Sequence, residues 1–168
     1  MIVGMALKEL FVGLQINGVD VQYHLGDQKE LNNWIVSKSK SQKYPLIWYV
    51  INPISRSSNG GYEFNTQLIL MTSTKVDSLN IERYNSSYIN YLNPLYLEVC
   101  KSIKKSRFFS FNEDVDFKFL DEPFFGIEKS KLDFQSVSNQ KQQSTLIDIV
   151  DAKIIYIKGT YKTNCPNG

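Results

Sequence analysis

The amino-acid sequence predicts an α+β fold: a mixed, mostly antiparallel β-sheet with helices packed on one face. The prediction rests on two kinds of pattern. Residues 44–51 and 62–71 carry the apolar and alternating patterns of β-strands, and residues 94–105 repeat apolar side chains at helical spacing. At 168 residues, the chain is long enough to enclose one hydrophobic core. We therefore expect a single domain.

The N-terminal part of the chain predicts a helix, a strand and a second helix. In residues 5–14 the apolar side chains lie on one helical stripe, formed by Leu7, Leu10, Phe11 and Leu14. We expect Gly18 to end this helix and residues 19–23 to form a short strand. Asp27 followed by Glu30 is the pattern of a capping box, which opens a helix. The buried face of that second helix is predicted to hold Leu31, Trp34 and Ile35.

We interpret the two central strands as a β-hairpin with a long loop. The first strand is apolar at every position after Pro45, as in a strand covered on both faces. The second alternates apolar and polar residues at its start, as in a half-buried strand. The connection at 52–61 is rich in turn-forming residues and is longer than a hairpin needs. We therefore regard it as a contact loop, with Arg56 and Asn59 as its contact residues.

The rest of the chain alternates between patterned and polar segments. The predicted elements are a polar connection at 72–85, a helix at 94–105 preceded by a turn or short helix up to Leu92, strands at 107–111 and 115–120 joined by a turn at 112–114, a loop at 121–126 and a long strand at 146–161. Residues 127–144 are polar and without period, so we expect a mobile segment inside a single domain of residues 1–162. Residues 163–168 are expected to form a frayed tail.

Composition limits the classes to which the protein can belong. A net charge of +2 gives no argument for or against a nucleic-acid partner. The two cysteines, Cys100 and Cys165, match no metal-ligand spacing, and we expect no disulfide between them. No segment is apolar for the length of a membrane span, and Lys8 and Glu9 interrupt the N-terminal apolar stretch. An aromatic content of 13% is high and suggests large contact areas.

Side chains that could carry catalysis or bind a metal are few. His24 is the only histidine, which excludes a His-dependent triad or a multi-histidine metal site. Cys100 lies in an apolar helical pattern, which favours a buried inert thiol over a nucleophile. The acidic residues between 113 and 122 lack the spacing of a calcium loop and are better explained as solvated surface. Asp148 and Asp151 would lie on opposite faces of the last strand. We expect no enzyme activity, no cofactor and no metal.

Charge is segregated in the second half of the chain. A basic run of Lys101, Lys104, Lys105 and Arg107 precedes an acidic run of Glu113, Asp114, Asp116, Asp121 and Glu122. In a ring, each basic edge would contact a neighbour's acidic edge, so these residues form a candidate subunit contact. Two alternatives stay open. Both runs are also explained as solvated surface, and the basic run as part of a small nucleic-acid-binding module.

Two motifs carry a resemblance to a known family. Ile89, Leu92, Pro94 and Leu95 form an I-x-x-L-x-P-L helix motif, and Leu146, Asp148, Asp151 and Ala152 form an L-x-D-x-x-D-A strand motif. With the order of elements over roughly residues 5–161, these motifs resemble the tail-terminator and tail-completion (neck) proteins of tailed bacteriophages, especially versions from phages of the Bacteroidetes. The polar stretch at 129–144 departs from the pattern of that family.

The resemblance implies a structural virion protein that forms a ring, commonly of six subunits, at the head–tail junction. Such a ring terminates the tail tube, joins it to the head connector, or does both. Its implied partners are therefore other copies of itself, tail-tube proteins and neck or connector proteins. DNA would pass through its lumen without sequence-specific binding, and assembly would take place in the host cytoplasm without a membrane.

Overall fold

The computed structural model describes residues 1–36, 43–56, 58, 60–75, 79–111, 117–125 and 149–162. The helices and strands of this part of the chain are α1 (Ile2–Leu10), β1 (Gln15–Ile16), β2 (Val19–Asp20), β3 (Gln22–Gly26), α2 (Gln28–Val36), β4 (Leu46–Val50), β5 (Ile54–Arg56), β6 (Tyr62–Ser73), α3 (Asn80–Arg83), a π-helical segment (Tyr84–Leu92), α4 (Asn93–Lys105), β7 (Phe109–Ser110), β8 (Phe119–Glu122) and β9 (Val150–Tyr161).

One seven-stranded sheet organises the molecule. Its strand order is β3-β4-β6-β9-β7, with β5 paired to β6 and β8 paired to β9. β3 and β4 are parallel and α2 connects them, whereas the other pairs in this sheet are antiparallel. The prediction of an α+β fold with a mixed, mostly antiparallel sheet is confirmed. The central hairpin is present, because β4 pairs with β6, and both strands are internal to the sheet.

Helices cover both faces of the sheet. On one face, the residues of α1, the π-helical segment and α4 enclose a core with Leu68 and Ile155. On the opposite face, Leu31 and Ile35 of α2 pack with Trp48 and other strand residues. The expectation that helices pack on one face therefore needs correction for α2. The reason is topological: adjacent parallel strands need a crossover connection, and the helix that makes the crossover lies on a face of the sheet.

The N-terminal helix differs from its prediction in both bounds. α1 ends at Leu10, and Gly13 follows it with a φ of 73°. The next residues form the β1–β2 hairpin, whose turn residues Asn17 and Gly18 have φ values of 52° and 76°. Two successive positive φ values match a type I′ turn, for which Asn-Gly is the preferred pair. Gly18 therefore turns a hairpin and does not end a helix.

The long helical region begins earlier than predicted. β6 extends to Ser73 and α3 begins at Asn80, so the connection predicted at 72–85 is shorter. The predicted helix at 94–105 is confirmed as α4, with Pro94 in its first turn. A proline inside a continuous helix removes one N–H donor, and here it lies at the junction between the π-helical segment and α4. The nine residues before α4 are π-helical, and the three segments follow one another without a break.

The strands predicted at 107–111 and 115–120 need a second correction. The observed strands are β7 and β8. β7 is shorter than predicted, and β8 is displaced towards the C-terminus, so that it includes two residues of the predicted loop at 121–126. Both pair with β9 and lie in line along its outer edge, instead of pairing with each other. The predicted last strand is confirmed as β9. The turn at 112–114, the segment at 127–144 and the tail at 163–168 lie outside the described residues.

Candidate functional site

The basic run lies where α4 ends. Lys101, Lys104 and Lys105 are exposed on the last turns of α4, and Arg107 is exposed in the bend that follows. Residues three and four apart share one side of a helix, so Leu97 and the three lysines form one exposed stripe. The lysines also lie near the negative end of the helix dipole, which favours cations. The basic half of the candidate subunit contact is thus a continuous surface.

Lys101 forms an ion pair within the chain. The Lys101 ammonium lies 3.1 Å from the Glu98 carboxylate, and both side chains are about half exposed. An exposed pair of this spacing contributes only about 0.2–0.5 kcal/mol, so a partner could displace it at low cost.

A surface groove of about 570 Å³ separates α4 from β8 and the residues before it. Its lining consists of Tyr96, Leu97, Cys100, Phe117, Lys118 and Phe119. Leu97 is 63% exposed, and Phe119 is 50% exposed. We call these lining residues the α4–β8 surface. Adjacent exposed Leu and Phe side chains are typical of a surface that another molecule covers.

A buried lysine supports the aromatic side of this groove. Lys153 of β9 is 2% exposed, and its ammonium lies 2.6 Å from the Asp121 carboxylate, directly opposite on β8. The same ammonium lies 3.8 Å from the ring centre of Phe119 and 5.5 Å from that of Tyr96. The ion pair and the ring faces both stabilise the buried charge. Lys153 therefore fixes Phe119 and Tyr96 in place.

A second buried charge lies nearby, beneath the π-helical segment. Asp151 is fully buried, lies 3.8 Å from Arg83, and accepts a hydrogen bond of 3.1 Å from the Phe124 N–H. The Arg83 guanidinium also covers the Phe124 ring at 4.1 Å. The second carboxylate oxygen of Asp151 has no hydrogen-bond partner in the described part of the chain. Burial, together with the charges of Asp151 and Asp121, raises the pKa of the Tyr88 phenol well above its usual range.

Sequence reasoning missed the two ion pairs formed by the buried residues Asp151 and Lys153. It compared Asp151 with Asp148, which lies outside the described residues, and assigned no role to Lys153. A signal was present, because Val150-Asp-Ala-Lys-Ile154 places two charges inside an apolar strand. Buried charges need partners, so each predicts an opposite charge across the core. The partners themselves, Arg83 and Asp121, could not be chosen without the fold.

The other predicted site residues fall into two groups. Arg56 is exposed at the end of β5, which pairs with β6 and shortens the predicted contact loop. Asn59, Glu113, Asp114 and Asp116 lie outside the described residues. Asp121 and Glu122 of the acidic run belong to β8, where the Asp121 carboxylate pairs with Lys153 of the same chain. The structure therefore places the basic half of the candidate subunit contact, and of its acidic half only these two residues.

His24 and Cys100 lie on opposite sides of the sheet and do not form a nucleophile pair. His24 packs on Trp34, with 4.0 Å between ring centres, on the face that α2 covers. Cys100 belongs to α4 and is buried on the side of this helix that faces the core. Within the described residues, no group of three or more His, Cys, Asp or Glu side chains is arranged to hold a metal ion. No helix in that part of the chain is long and apolar enough to span a bilayer.

Comparisons with protein-family models, with curated proteins and with solved structures find no match. The interpretation of the α4–β8 surface therefore depends on the sequence and structure of this chain alone.

Proposed function

We propose that this protein is a structural virion subunit that forms a ring at the head–tail junction of a tailed bacteriophage, where it terminates the tail tube, joins it to the head connector, or does both. The observation that carries the proposal is the α4–β8 surface. It exposes Leu97 and Phe119 beside the basic end of α4. Covering such a surface with another protein removes apolar area from water, which favours assembly.

The motifs behind the family resemblance support the proposal at the level of the fold. Leu92 and Leu95 of the helix motif are fully buried, and Pro94 lies in the first turn of α4. Asp151 and Ala152 of the strand motif are fully buried in β9. These buried residues pack the helical region on the sheet, whereas Ile89 is 46% exposed and Leu146 and Asp148 lie outside the described residues. Neither motif specifies a chemical reaction.

The direct test is the oligomeric state. We expect the purified protein to elute as a multiple of its 19.4 kDa mass in size-exclusion chromatography with light scattering. Negative-stain electron microscopy should then show closed rings, six subunits being the number that the resemblance implies. A protein that stays monomeric at micromolar concentration, alone and with tail-tube protein, would contradict the proposal.

A charge exchange tests whether the segregated charges form the subunit contact. Replacing Lys104 and Lys105 by Glu should weaken ring formation, because the basic edge would then repel an acidic neighbour. Adding Asp114→Lys and Asp116→Lys should restore part of it. Lys75→Glu with Lys158→Glu is the matched control, since both lysines are exposed elsewhere. Rings that survive the first change at low salt, or a second change that restores nothing, would exclude this contact.

A small nucleic-acid-binding module is the alternative function, and one observation favours it. Phe108, 40% exposed, follows the exposed Arg107 directly, so an aromatic ring lies beside the basic run. Exposed aromatic rings can stack on bases while lysines and arginines bind phosphates. A single-stranded DNA titration separates the two functions, because phosphate-dominated affinity decreases steeply with salt. Assembly through the α4–β8 surface should depend much less on salt.

A further inference from the structure

The large sheet has two outer edges without a partner strand among the described residues. β3 forms one edge, and β7 and β8 form the other. We infer that β8 of one subunit pairs with β3 of a second copy of this chain, so that one sheet continues from subunit to subunit. This inference rests on the proposed ring and identifies a contact within it. Exposed edges favour such pairing because their N–H and C=O groups have no partner.

The hydrogen-bonding groups of β3 can be assigned from the bonds it makes with β4. The Gln22 N–H donates to the Pro45 carbonyl at 2.9 Å, and the Ile51 N–H donates to the Gly26 carbonyl at 3.0 Å. Alternate residues of a strand bond to the same neighbour. Gln22, His24 and Gly26 therefore face β4. The N–H and C=O groups of Tyr23 and Leu25 point to the open side.

The same reasoning applies to β8. The Tyr156 N–H of β9 donates to the Lys118 carbonyl at 2.9 Å, and the register places Leu120 opposite Ile154. Lys118 and Leu120 therefore bond to β9. Phe119 and Asp121 present their N–H and C=O groups to the open side. Each edge thus offers two residues whose outward backbone groups have no strand partner in the described part of the chain, separated by one residue.

The two edges match in direction and in register. β3 is parallel to β4, β4 and β9 are both antiparallel to β6, and β8 is antiparallel to β9. β3 and β8 therefore run in opposite directions and would meet as antiparallel strands in a continued sheet. Pairing Leu25 with Phe119 aligns Tyr23 with Asp121, so both outward-facing pairs form hydrogen bonds. The same register places His24 opposite Leu120.

The side chains also match on both faces. Leu25 packs against the core beneath α1, and Phe119 lies on the same face, opposite Ile155 of that core. His24 packs on Trp34, and Leu120 lies on that face opposite Ile154. The half-exposed Phe119 and Leu120 would each gain an apolar or aromatic neighbour. Because the contact joins two different strands, it repeats from head to tail, which is the kind of contact that a ring requires.

Disulfide trapping tests the pairing. His24→Cys with Leu120→Cys places thiols on a non-hydrogen-bonded antiparallel pair, for which the Cα separation is about 4.5 Å and suits a disulfide. The variant is made in a Cys100→Ala, Cys165→Ser background. We expect mild oxidation to give a ladder of covalent multimers on a non-reducing gel. Leu25→Cys with Leu120→Cys, on opposite faces, is the matched control and should give no ladder. Each single variant should also give none.

A second pair of cysteine substitutions tests the same contact if the first variant folds poorly. Leu25→Cys with Phe119→Cys lies on the hydrogen-bonded pair, for which the Cα separation is about 5.5 Å. Rings that form without a ladder from either pair would overturn the strand pairing and leave the proposed function standing. Monomers without a ladder would overturn both. Dimers cross-linked by Leu120→Cys alone would show a twofold β8–β8 contact, which also overturns the β8–β3 pairing.

Discussion

At the scale of single residues, the main feature is two charged side chains that are buried on the sheet. Asp151 and Lys153, two residues apart on β9, are buried on the face that the helical region covers. Asp151 meets Arg83, and Lys153 meets Asp121, so each buried charge has a counter-charge from a different element. Such pairs add little net stability but are costly to break. They therefore define where α3 and β8 are positioned on β9.

We expect Asp151→Asn to lower the free energy of unfolding by about 3–5 kcal/mol, because it leaves the Arg83 guanidinium buried without a counter-charge. Urea denaturation measures the change. Glu63→Gln is the control, since Glu63 is an exposed carboxylate of β6 and its replacement should leave the free energy of unfolding nearly unchanged. Adding Arg83→Met to Asp151→Asn should recover part of the loss. An Asp151→Asn protein as stable as the parent would contradict this role.

His24 makes stability depend on pH. Burial, aided by the charge of Lys8, lowers the pKa of His24 below its ordinary value of 6.5. The unfolded chain therefore binds a proton at a higher pH than the folded chain. Stability should decrease as the pH falls below about 6.5 and level off below the folded pKa. Thermal melts at pH ~7.5 and ~5.5 should differ less for His24→Gln than for the parent. Equal differences would exclude His24 as the source.

At the scale of elements, local signals decided which predictions were right. The Asp27–Glu30 pattern predicted the start of α2, and both bonds of the capping box are present: the Glu30 N–H donates to Asp27 at 2.8 Å, and the Asp27 N–H donates to Glu30 at 3.0 Å. The Asn17-Gly18 pair carried an equally specific hairpin signal, but the preceding helical stripe obscured it. Both signals involve residues that are close together in the sequence, so they can be recognised without the fold.

We expect Asp27→Ala to destabilise the protein by about 1 kcal/mol, because the Glu30 N–H at the start of α2 loses its acceptor. Lys29→Ala is the control, an exposed substitution in the same helix that leaves the capping box intact. Chemical denaturation of the two variants should separate them clearly. Equal stability of the two variants would mean that the cap contributes nothing.

Sequence could not predict which strands pair at long range. The apolar runs of β4, β6 and β9 were recognisable, yet nothing in residues 107–120 shows that β7 and β8 lie in line on β9. The same limit applies to the candidate site. The basic stripe on α4 follows from helical spacing, whereas the groove beside Phe119 exists only because β8 is brought against α4. Local patterns therefore predict individual helices and strands, whereas the groove depends on contacts between elements that are far apart in the sequence.

At the scale of the whole molecule, the candidate contact surfaces lie around a sheet that is covered on both faces. The α4–β8 surface, the β3 edge and the exposed Arg56 belong to different parts of the periphery. A protein with several separate contact surfaces can bind two neighbours and further partners at the same time. That arrangement suits a subunit of an assembly.

Limited proteolysis should distinguish isolated subunits from subunits in the proposed ring. We expect trypsin to cut isolated subunits after Arg56, in the predicted contact loop, and after Lys129, Lys131 and Lys141, in the predicted mobile segment. Assembled rings should resist cleavage at these sites, because a partner that covers a segment excludes the protease. Comparable tryptic fragments from the two states would exclude both segments as contact surfaces. Cleavage of a heat-unfolded sample provides the control for intrinsic susceptibility.

The long ladder between β6 and β9 has a mechanical consequence. All twelve residues of β6 pair with β9, from Tyr62 opposite Tyr161 to Ser73 opposite Val150. The hydrogen bonds of an antiparallel ladder lie perpendicular to the strands. A force along the strands therefore loads these bonds in shear, all at once, and cannot open them one after another. We therefore expect the centre of the sheet to resist a stretching force along its strands more strongly than a force that peels the strands apart.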